Sequence, residues 1–512
     1  MKKIDENSND KSLLVFPLAF FLFVIVKDAW LSDDCYITFR VIDNFLRGYG
    51  LTWNTDERVQ AFTNPLWMFC LSLISFFTHE IYFSSLILSI TLSLTAVVIF
   101  TFYLARSPLL AGLGVMALAA SKSFVDYSTS GLENPLTYLL IVLFMLTFYS
   151  DQDKRHYIFR LALIASLAAF NRMDTILFFL PALIVVLYKF PVWRSVRSLL
   201  LGFVPFLGWE AFSLWYYGFL FSNTAYAKLD TGIANSQLLL QGIGYFIGSF
   251  SFDPILFVVI AASIFLIFVQ REWKSLPFII GMGLYLCYTL KIGGDFMAGR
   301  FFAEPYLIAV ILLARASFPS LALRSNWLIA LTAITIFALL APNSRWYAIN
   351  NSPFLEKRGV ADERASLLAQ TGILNFQRDI FWPNSPWGAR ALQAKQAHKR
   401  VVVFPGIGIY GFMAGPTIHV VDPIGLSDPL LARLPVLPGW RIGLFGRAIP
   451  KGYLETLESG KNVIQNRDLA LYYSKLRYIT RGPLFDFQRL IEIWKFNTGA
   501  YNYLLSHYSP KE

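Results

Sequence analysis

An apolar run from Ser12 to Trp30 is followed at once by two adjacent carboxylates, Asp33 and Asp34. The run is long enough to cross a bilayer as a helix, and it lacks the small-residue cleavage site of a signal peptide. Because a charge is costly in hydrocarbon, the two aspartates are expected at the membrane edge or in a wet cavity. A charged pair at such a place predicts a functional site.

The residues after this pair have the pattern of an amphipathic helix. Ile37, Val41 and Phe45 recur on one side and polar residues fall on the other, which suits a helix lying in the membrane interface. The simpler interpretation is that the aspartates only cap this helix, since Asp is a favoured N-cap residue. One Asp is enough for a cap, so the second carboxylate favours a functional role.

The composition predicts a polytopic α-helical membrane protein. Hydrophobic residues make up 56% of the chain, charged residues only 15%, and the mean hydropathy is +0.51. The net charge of +11 comes with no basic patch interleaved with aromatic residues, so no nucleic acid partner is expected. The three cysteines are far apart and predict neither a disulfide framework nor a zinc site.

Apolar runs divide most of the chain into about eleven predicted crossings. After the first crossing they lie near residues 80–104, 108–121, 134–150, 157–170, 174–189, 198–217, 254–270, 276–290, 300–315 and 326–341. The run 65–77 is too short to count and is expected to be re-entrant or in the membrane plane. The segment 238–250 is equally ambiguous.

The loop charges predict the orientation. A cytoplasmic N-terminus places most loop cations inside the cell, as the positive-inside rule requires. The sequence thus predicts a transmembrane domain over residues 1–341, whose first external loop, 31–64, carries the site, and an extracytoplasmic α/β domain over 342–512. In that domain, helices are expected at 362–370 and 386–397, and strands at 400–404 and 417–422.

The second domain contains a G-x-G-x-x-G pattern at Gly406–Gly411, between the two predicted strands. A dinucleotide-binding fold needs a fuller helix after the glycines and an acidic residue about twenty positions on. Only a few residues separate these glycines from the next strand. The pattern is therefore interpreted as a tight turn against a strand.

Five unusual motifs all fall in the predicted outer loops, so acidic and basic residues collect on one face of the membrane. They are LSDDCYITFR (31–40), DYSTSGLENP (126–135), NRMD (171–174), GFLFSNTAYAK (218–228) and KIGGDFMAGRFF (291–302). Single loops are explained by turns and helix caps, but several together favour an active site. These charged residues are Asp33, Asp34, Glu133, Arg172, Asp174, Lys228, Asp295 and Arg300.

Eight motifs along the chain form a specific set when taken in order. They are DDCYITFR (33–40), GYGLTWNTDERVQAFTNPLW (48–67), SGLENPL (130–136), NRMD (171–174), SNTAYAK (222–228), GGDFMAGRFF (293–302), VDPIGLSDPLLARLP (421–435) and RIG (441–443). In this order, the motifs resemble the bacterial GT-C glycosyltransferases of the terminal β-(1→2)-arabinofuranosyltransferase type. Relatives in that family commonly have Pro where this chain has Ser222, and His where it has Leu444. The second difference puts a role for a histidine there in doubt.

The resemblance implies a GT-C fold and a sugar transfer at the outer face of the bacterial cytoplasmic membrane. The donor would be a polyprenyl-phosphate sugar, with arabinofuranose expected, and the acceptor a glycan, a lipid-linked saccharide or a protein. No cofactor is implied beyond a possible divalent cation. Further substrate-binding candidates are Arg40, Asn64, Glu133, Asn223, Asp295 and Asp422.

The chemistry of these residue types fits such a transfer. A phosphate needs cations, and Lys228, Arg300 and Arg172 flank the unusual motifs. The acceptor hydroxyl needs a base, which Asp33 or Asp34 would supply. Adjacent carboxylates raise each other's pKa, which suits proton transfer. If the reaction retains configuration, one carboxylate would instead be a nucleophile.

Two other functions stay open. One is a related mannosyl- or aminoarabinose-type transferase or an oligosaccharyltransferase, which identification of the donor would separate. The other is a lipid or polysaccharide transporter that performs no chemistry. Transporters place their charges near the bilayer midplane and often contain internal repeats. The clustering of charges at one face and the lack of a visible repeat favour the enzyme.

The predicted orientation is tested by labelling single cysteines in intact cells with a membrane-impermeant thiol reagent. Cysteines placed in Lys154–His156 or Arg271–Lys274 should be protected, because these loops are predicted to be cytoplasmic. Cysteines at Gly232 or Ser459 should react. Labelling of Arg271–Lys274 from outside would contradict the orientation.

Overall fold

The computed structural model describes residues 8–150, 156–229, 231–317, 359–377, 382–506 and 508–509. The described chain is predominantly helical, as the composition predicts. Its first part contains α1 (Ser8–Lys27), α2 (Asp33–Leu46), α3 (Pro65–Thr78), α4 (Tyr82–Ile99), α5 (Pro108–Ala120), α6 (Lys122–Asp126), α7 (Asn134–Tyr149), α8 (Tyr157–Asn171), α9 (Ile176–Lys189), α10 (Val192–Gly202), α11 (Val204–Tyr216), α12 (Asn223–Leu229), α13 (Asn235–Phe252), α14 (Pro254–Val269), α15 (Leu276–Lys291) and α16 (Ala303–Arg315).

The later part mixes helices with two short strands. The segment 326–341 and the predicted domain boundary after residue 341 lie outside the described residues. The elements are α17 (Glu363–Thr371), α18 (Pro386–Gln396), β1 (Val401–Val403), α19 (Ile407–Ala414), β2 (His419–Val421), α20 (Tyr453–Ser459), α21 (Arg467–Arg481) and α22 (Phe487–Asn497). The two strands are parallel, with Val401 opposite His419 and Val403 opposite Val421.

Helices form at the predicted apolar runs that lie within the described residues, but most of these helices are short for a membrane span. Among the described residues, length and hydropathy single out one helix able to cross a bilayer, Tyr82–Leu104, in which a π-helical turn continues α4. Two bent pairs bring the number to three if each pair counts as one span. They are Ser195–Gly202 with Val204–Tyr216, bent by 52°, and Asn235–Phe252 with Pro254–Val269, bent by 103°.

The chain divides into two compact units, which are interleaved in sequence. The first unit combines the described residues of Met1–Ser32, Glu80–Phe206 and Asn235–Phe376. Its helices pack in pairs, among them α1 with α5, α9 with α15, α8 with α10, α4 with α7 and α14 with α16. Proline has no backbone N–H group to donate within a helix. Helix α5 begins with Pro108, where no such donor is needed, and α9 contains Pro181 in its interior.

The second unit combines Asp33–His79, Leu207–Ala234 and the described residues of Gln377–Glu512. Helix α2 packs against α19, and α19 packs against α18. Most of α2 is buried, and its exposed residues lie toward its C-terminal end. Thr38, Arg40 and Asn44, which the sequence places on a polar face, are buried, because each makes hydrogen bonds within the unit.

The prediction of a tight turn at the G-x-G-x-x-G pattern is wrong. Gly406 precedes α19, and Gly408 and Gly411 lie inside that helix on the side that meets α2. A Cβ atom on Gly408 would come within 1.9 Å of the backbone oxygen of Asp33, and one on Gly411 within 2.5 Å of the Trp53 ring. The glycines are thus required for close helix packing, a use of this residue that the spacing alone does not reveal.

This packing predicts that Gly408→Ala destabilises the second unit. The new methyl group meets backbone, which cannot move aside, and overpacking costs about 1–3 kcal/mol or more. Thermal unfolding of the purified protein should show a lower Tm. Gly446→Ala is the matched control, because a Cβ there meets nothing within 4 Å. Equal melting temperatures for the two variants would contradict the close contact.

Candidate functional site

The two aspartates form the first turn of α2, and α19 holds one of them. Asp33 Oδ1 accepts a hydrogen bond of 2.7 Å from the backbone N–H of Ile409, and Asp33 Oδ2 accepts one of 3.3 Å from that of Gly408. The first N–H groups of a helix have no partner within the helix, and they favour a negative charge. The carboxylate of Asp33 is therefore oriented by backbone groups, while Asp34 lies beside it, also partly buried.

The surroundings of Asp33 make it a stronger base than an ordinary aspartate. Burial raises the pKa of its carboxyl group to about 7, and the charge of Asp34 adds to the rise, while the bonds from Ile409 and Gly408 oppose it. A carboxyl group with a pKa near neutrality can both take and return a proton under physiological conditions. The sequence predicts a raised pKa from the neighbouring carboxylate, whereas burial is the larger cause at Asp33.

Arg40, a predicted substrate-binding residue, lies between α2 and α19. It donates to the carbonyl oxygens of Trp53 at 2.7 Å, Gly411 at 2.7 Å and Ile418 at 2.9 Å, and its guanidinium group stacks over the Trp53 ring at 4.1 Å. Burial lowers the pKa of Arg40 to about 9, although nearby carboxylates oppose this. The arginine thus ties three chain segments of the second unit together and fixes the start of α2.

Three other candidates in the second unit are also buried. Asn64 accepts a hydrogen bond of 3.1 Å from the Thr38 hydroxyl group. Asn223 donates to the carbonyl oxygens of Gly425 at 2.8 Å and Asp428 at 3.0 Å. Asp422 accepts hydrogen bonds from backbone N–H groups of residues 424, 426 and 427, and burial raises its pKa to about 6 despite them. Asn223 thus holds the loop 422–428 against α12, and Asp422 orders the loop from within.

Lys228 differs from these candidates. It lies in α12, partly exposed, and makes no hydrogen bond or ion pair with the residues that the structure describes. Of the three cations assigned to phosphate binding, Lys228 is the one for which the described residues supply no ion-pair partner. An ammonium group in this position can bind a phosphate.

The remaining candidates form a buried ion-pair network in the first unit. Glu133 Oε1 lies 2.9 Å from Arg172 Nη1 and 3.3 Å from Arg300 Nη2. Arg172 also pairs with Asp174 at 2.8 Å, and Arg300 with Asp295 at 3.5 Å. The structure thus brings together Glu133, Arg172, Asp295 and Arg300, which come from three distant segments. Three carboxylates already compensate the two arginines.

The predicted site residues therefore fall into two groups, one in each unit. The group of the second unit contains Asp33, Asp34, Arg40, Asn64, Asn223, Lys228 and Asp422. Within the described ranges, no group of three His, Cys, Asp or Glu side chains is placed to hold a metal ion.

Sequence reasoning missed two features of the second unit. The backbone donors at Gly408 and Ile409 carry no side-chain signal, although the glycine pattern marked their position. The second feature is a narrow open cleft of about 240 Å³ lined by Arg58, Arg433 and the aromatic rings of residues 217, 219, 221 and 226. Arg433 stacks on Phe219 at 4.2 Å. The position of Arg433 inside the motif 421–435 was the feature of the sequence that could have indicated this cleft.

The network of the first unit predicts that Glu133→Gln lowers the Tm strongly. The change leaves Arg172 and Arg300 without their shared buried carboxylate, and breaking a buried ion pair costs about 3–5 kcal/mol. Asp43→Asn is the control, because Asp43 pairs with Arg47 on the surface, where a pair contributes about 0–1 kcal/mol. Unfolding of both variants at the wild-type temperature would contradict the role of Glu133.

Comparison of the sequence with known proteins finds two relatives that are named as sugar transferases. The chain is 26% identical to a protein of Mycobacterium tuberculosis named terminal β-(1→2)-arabinofuranosyltransferase. The alignment covers 81% of this chain and 80% of the relative. A protein of the same name from Corynebacterium glutamicum is 23% identical, over 81% of this chain and 72% of the relative. No protein-family model matches the chain.

Among solved structures, the oligosaccharyltransferase of Archaeoglobus fulgidus aligns with a TM-score of 0.44 and 11% identity over 80% of this chain and 62% of that one. ArnT of Cupriavidus metallidurans, solved with undecaprenyl phosphate, aligns with a TM-score of 0.40 and 14% identity over 82% and 77% of the two chains. The relatives in sequence confirm what the motifs predicted: over most of its length, the chain resembles the terminal β-(1→2)-arabinofuranosyltransferases.

Proposed function

We propose that this protein is a membrane glycosyltransferase of the GT-C type that moves a sugar from a polyprenyl-phosphate donor to an acceptor in the bacterial cell envelope. Its activity as a glycosyltransferase follows from the named relatives, which cover most of the chain. We further propose that the sugar is arabinofuranose, that the donor is a lipid-phosphate sugar, and that the reaction takes place at the outer face of the membrane. The acceptor is a glycan, a lipid-linked saccharide or a protein.

The observation that carries the proposal is the Asp33 carboxylate at the start of α2. It is oriented by two backbone N–H groups, and its pKa is raised to about 7. In the proposed reaction, this carboxylate takes the proton of the acceptor hydroxyl group. The acceptor oxygen then bonds to the anomeric carbon of the sugar, and the bond from that carbon to the phosphate oxygen breaks. The polyprenyl phosphate leaves with the bonding electrons.

Lys228 is our first candidate for contact with the donor phosphate. Its ammonium group is partly exposed and has no partner among the described residues, and it belongs to the same unit as Asp33 and Asp34. Arg172 and Arg300 were assigned the same role from the sequence. Their charges are already compensated by Glu133, Asp174 and Asp295, which favours Lys228 over them.

We further propose about eleven membrane crossings, an N-terminus in the cytoplasm and an extracytoplasmic domain over residues 342–512. Helices at the predicted apolar runs and the mixed α/β elements between residues 386 and 421 support this arrangement. A lipid-linked donor would explain why a polar site is built into so apolar a chain, since the reactive phosphate stays at the membrane surface.

The proposal predicts distinct outcomes at the two aspartates. Asp33→Asn should reduce sugar transfer by about 10²–10⁴-fold, the usual contribution of a general base. Asp34→Asn should keep transfer but move the midpoint of its pH profile to lower pH, because the charge of Asp34 helps raise the pKa of Asp33. The wild-type rate should rise with pH through about 7, since only the ionised carboxylate accepts a proton.

The assay uses the purified full chain in nanodiscs with a polyprenyl-phosphoryl arabinofuranose donor and records transfer and Tm together. The Tm matters because an Asn side chain at position 33 accepts only one of the two backbone hydrogen bonds. Asp43→Asn, on the exposed face of α2, should retain full transfer. Full transfer by Asp33→Asn at all pH values would remove the catalytic role and leave Asp33 a structural one.

A further inference from the structure

Helix α22 buries two charged side chains and exposes three large apolar ones. Arg489 and Glu492 are buried, with exposed fractions of 0% and 1%. Phe487 and Trp494 are exposed to 75% and 66%, and Leu490 to 44%. Residues 487, 490 and 494 share one face of a helix, because they are three and four positions apart. The outward face of α22 therefore carries three large apolar side chains beside the polar Gln488, whereas the inward face carries Ile493 beside the two buried charges. Exposure of such large apolar side chains to water is unfavourable.

The inward polar residues have a clear structural task. Arg489 donates to the carbonyl oxygens of Trp215 at 2.7 Å and Tyr216 at 2.8 Å, which are the last two residues of α11. The final carbonyl groups of a helix have no partner within the helix, and a cation there is favourable. Glu492 accepts a hydrogen bond of 3.0 Å from Lys475. These contacts fasten α22 to the end of α11 and to α21.

The exposed apolar face continues beyond the helix toward α11. Phe485 is exposed to 89%, and its ring lies 5.5 Å from that of Trp215. We name Phe485, Phe487, Leu490 and Trp494 the aromatic patch. Helix α11 itself is one half of a bent pair that length and composition allow to cross a membrane. The patch therefore adjoins the end of an apolar helix and contains the aromatic residues that are enriched at bilayer interfaces.

We propose that α22 lies in the membrane interface and that the aromatic patch inserts between the lipid head groups and the acyl chains. An amphipathic helix with Trp, Phe and Leu on one face binds a bilayer through the burial of that face. The continuity with α11 favours lipid over a protein as the occupant. The contact would fix the second unit, which carries Asp33 and Lys228, at the depth of a lipid-linked substrate.

The test places the photoreactive residue benzoylphenylalanine at Phe487, Leu490 or Trp494 in the full chain, reconstituted in nanodiscs of phosphatidylethanolamine and phosphatidylglycerol. The control position is Glu458, an exposed residue of α20 in the same unit. After irradiation, mass spectrometry should find lipid adducts several-fold more abundant at the three patch positions than at the control. Three positions on one face keep the test valid if a single variant fails to fold.

Two results would overturn the proposal. Adduct levels at the patch equal to those at Glu458 would mean that the aromatic patch faces water. Cross-linking of two chains as the main product would mean that a second copy covers it. Loss of sugar transfer is not a readout here, so the result is independent of the proposed reaction.

Discussion

The close approach of α19 to α2 is the contact on which the rest of the second unit depends. Without a side chain at Gly408, the first turn of α19 reaches the backbone of Asp33, and its N–H groups bind the aspartate carboxylate. Arg40 secures the same pair of helices from the other end of α19 by binding the Gly411 oxygen. Shape and charge thus support one arrangement, which places a carboxylate with high proton affinity at the start of α2.

Buried arginines are a common element of this unit and explain part of the positive net charge. Arg40, Arg447 and Arg489 each donate to at least three backbone carbonyl oxygens, which belong to two or more separate segments of the chain. A guanidinium group has five N–H donors in a rigid plane, so it can satisfy several carbonyl groups of irregular segments at once. These arginines help to order the long loops of the unit, whose described residues contain just one sheet of two short strands.

Much of the architecture could be predicted because apolar periodicity is a local property of the chain. Helices occur at the predicted runs that the structure describes, and β1 and β2 lie within the predicted strands. The network of Glu133, Arg172, Asp295 and Arg300 was selected by residue type and loop position, and these residues do meet. The helix at Gly406–Gly411 was missed because its formation depends on α2, which is more than 360 residues earlier. Likewise, burial of Arg40 depends on tertiary contacts, which periodicity does not describe.

The bond between Asp33 and the start of α19 has a consequence for the reaction cycle. A carboxylate accepts hydrogen bonds from N–H groups better than a neutral carboxyl group does. Proton uptake by Asp33 is therefore thermodynamically linked to its hydrogen bonds with the start of α19. Each proton taken from an acceptor would loosen the contact between the two helices, and each proton released would restore it. A ligand that presses α19 against α2 would, by the same linkage, lower the proton affinity of Asp33. The helix pair thereby couples mechanical closure to the acid–base state of the site.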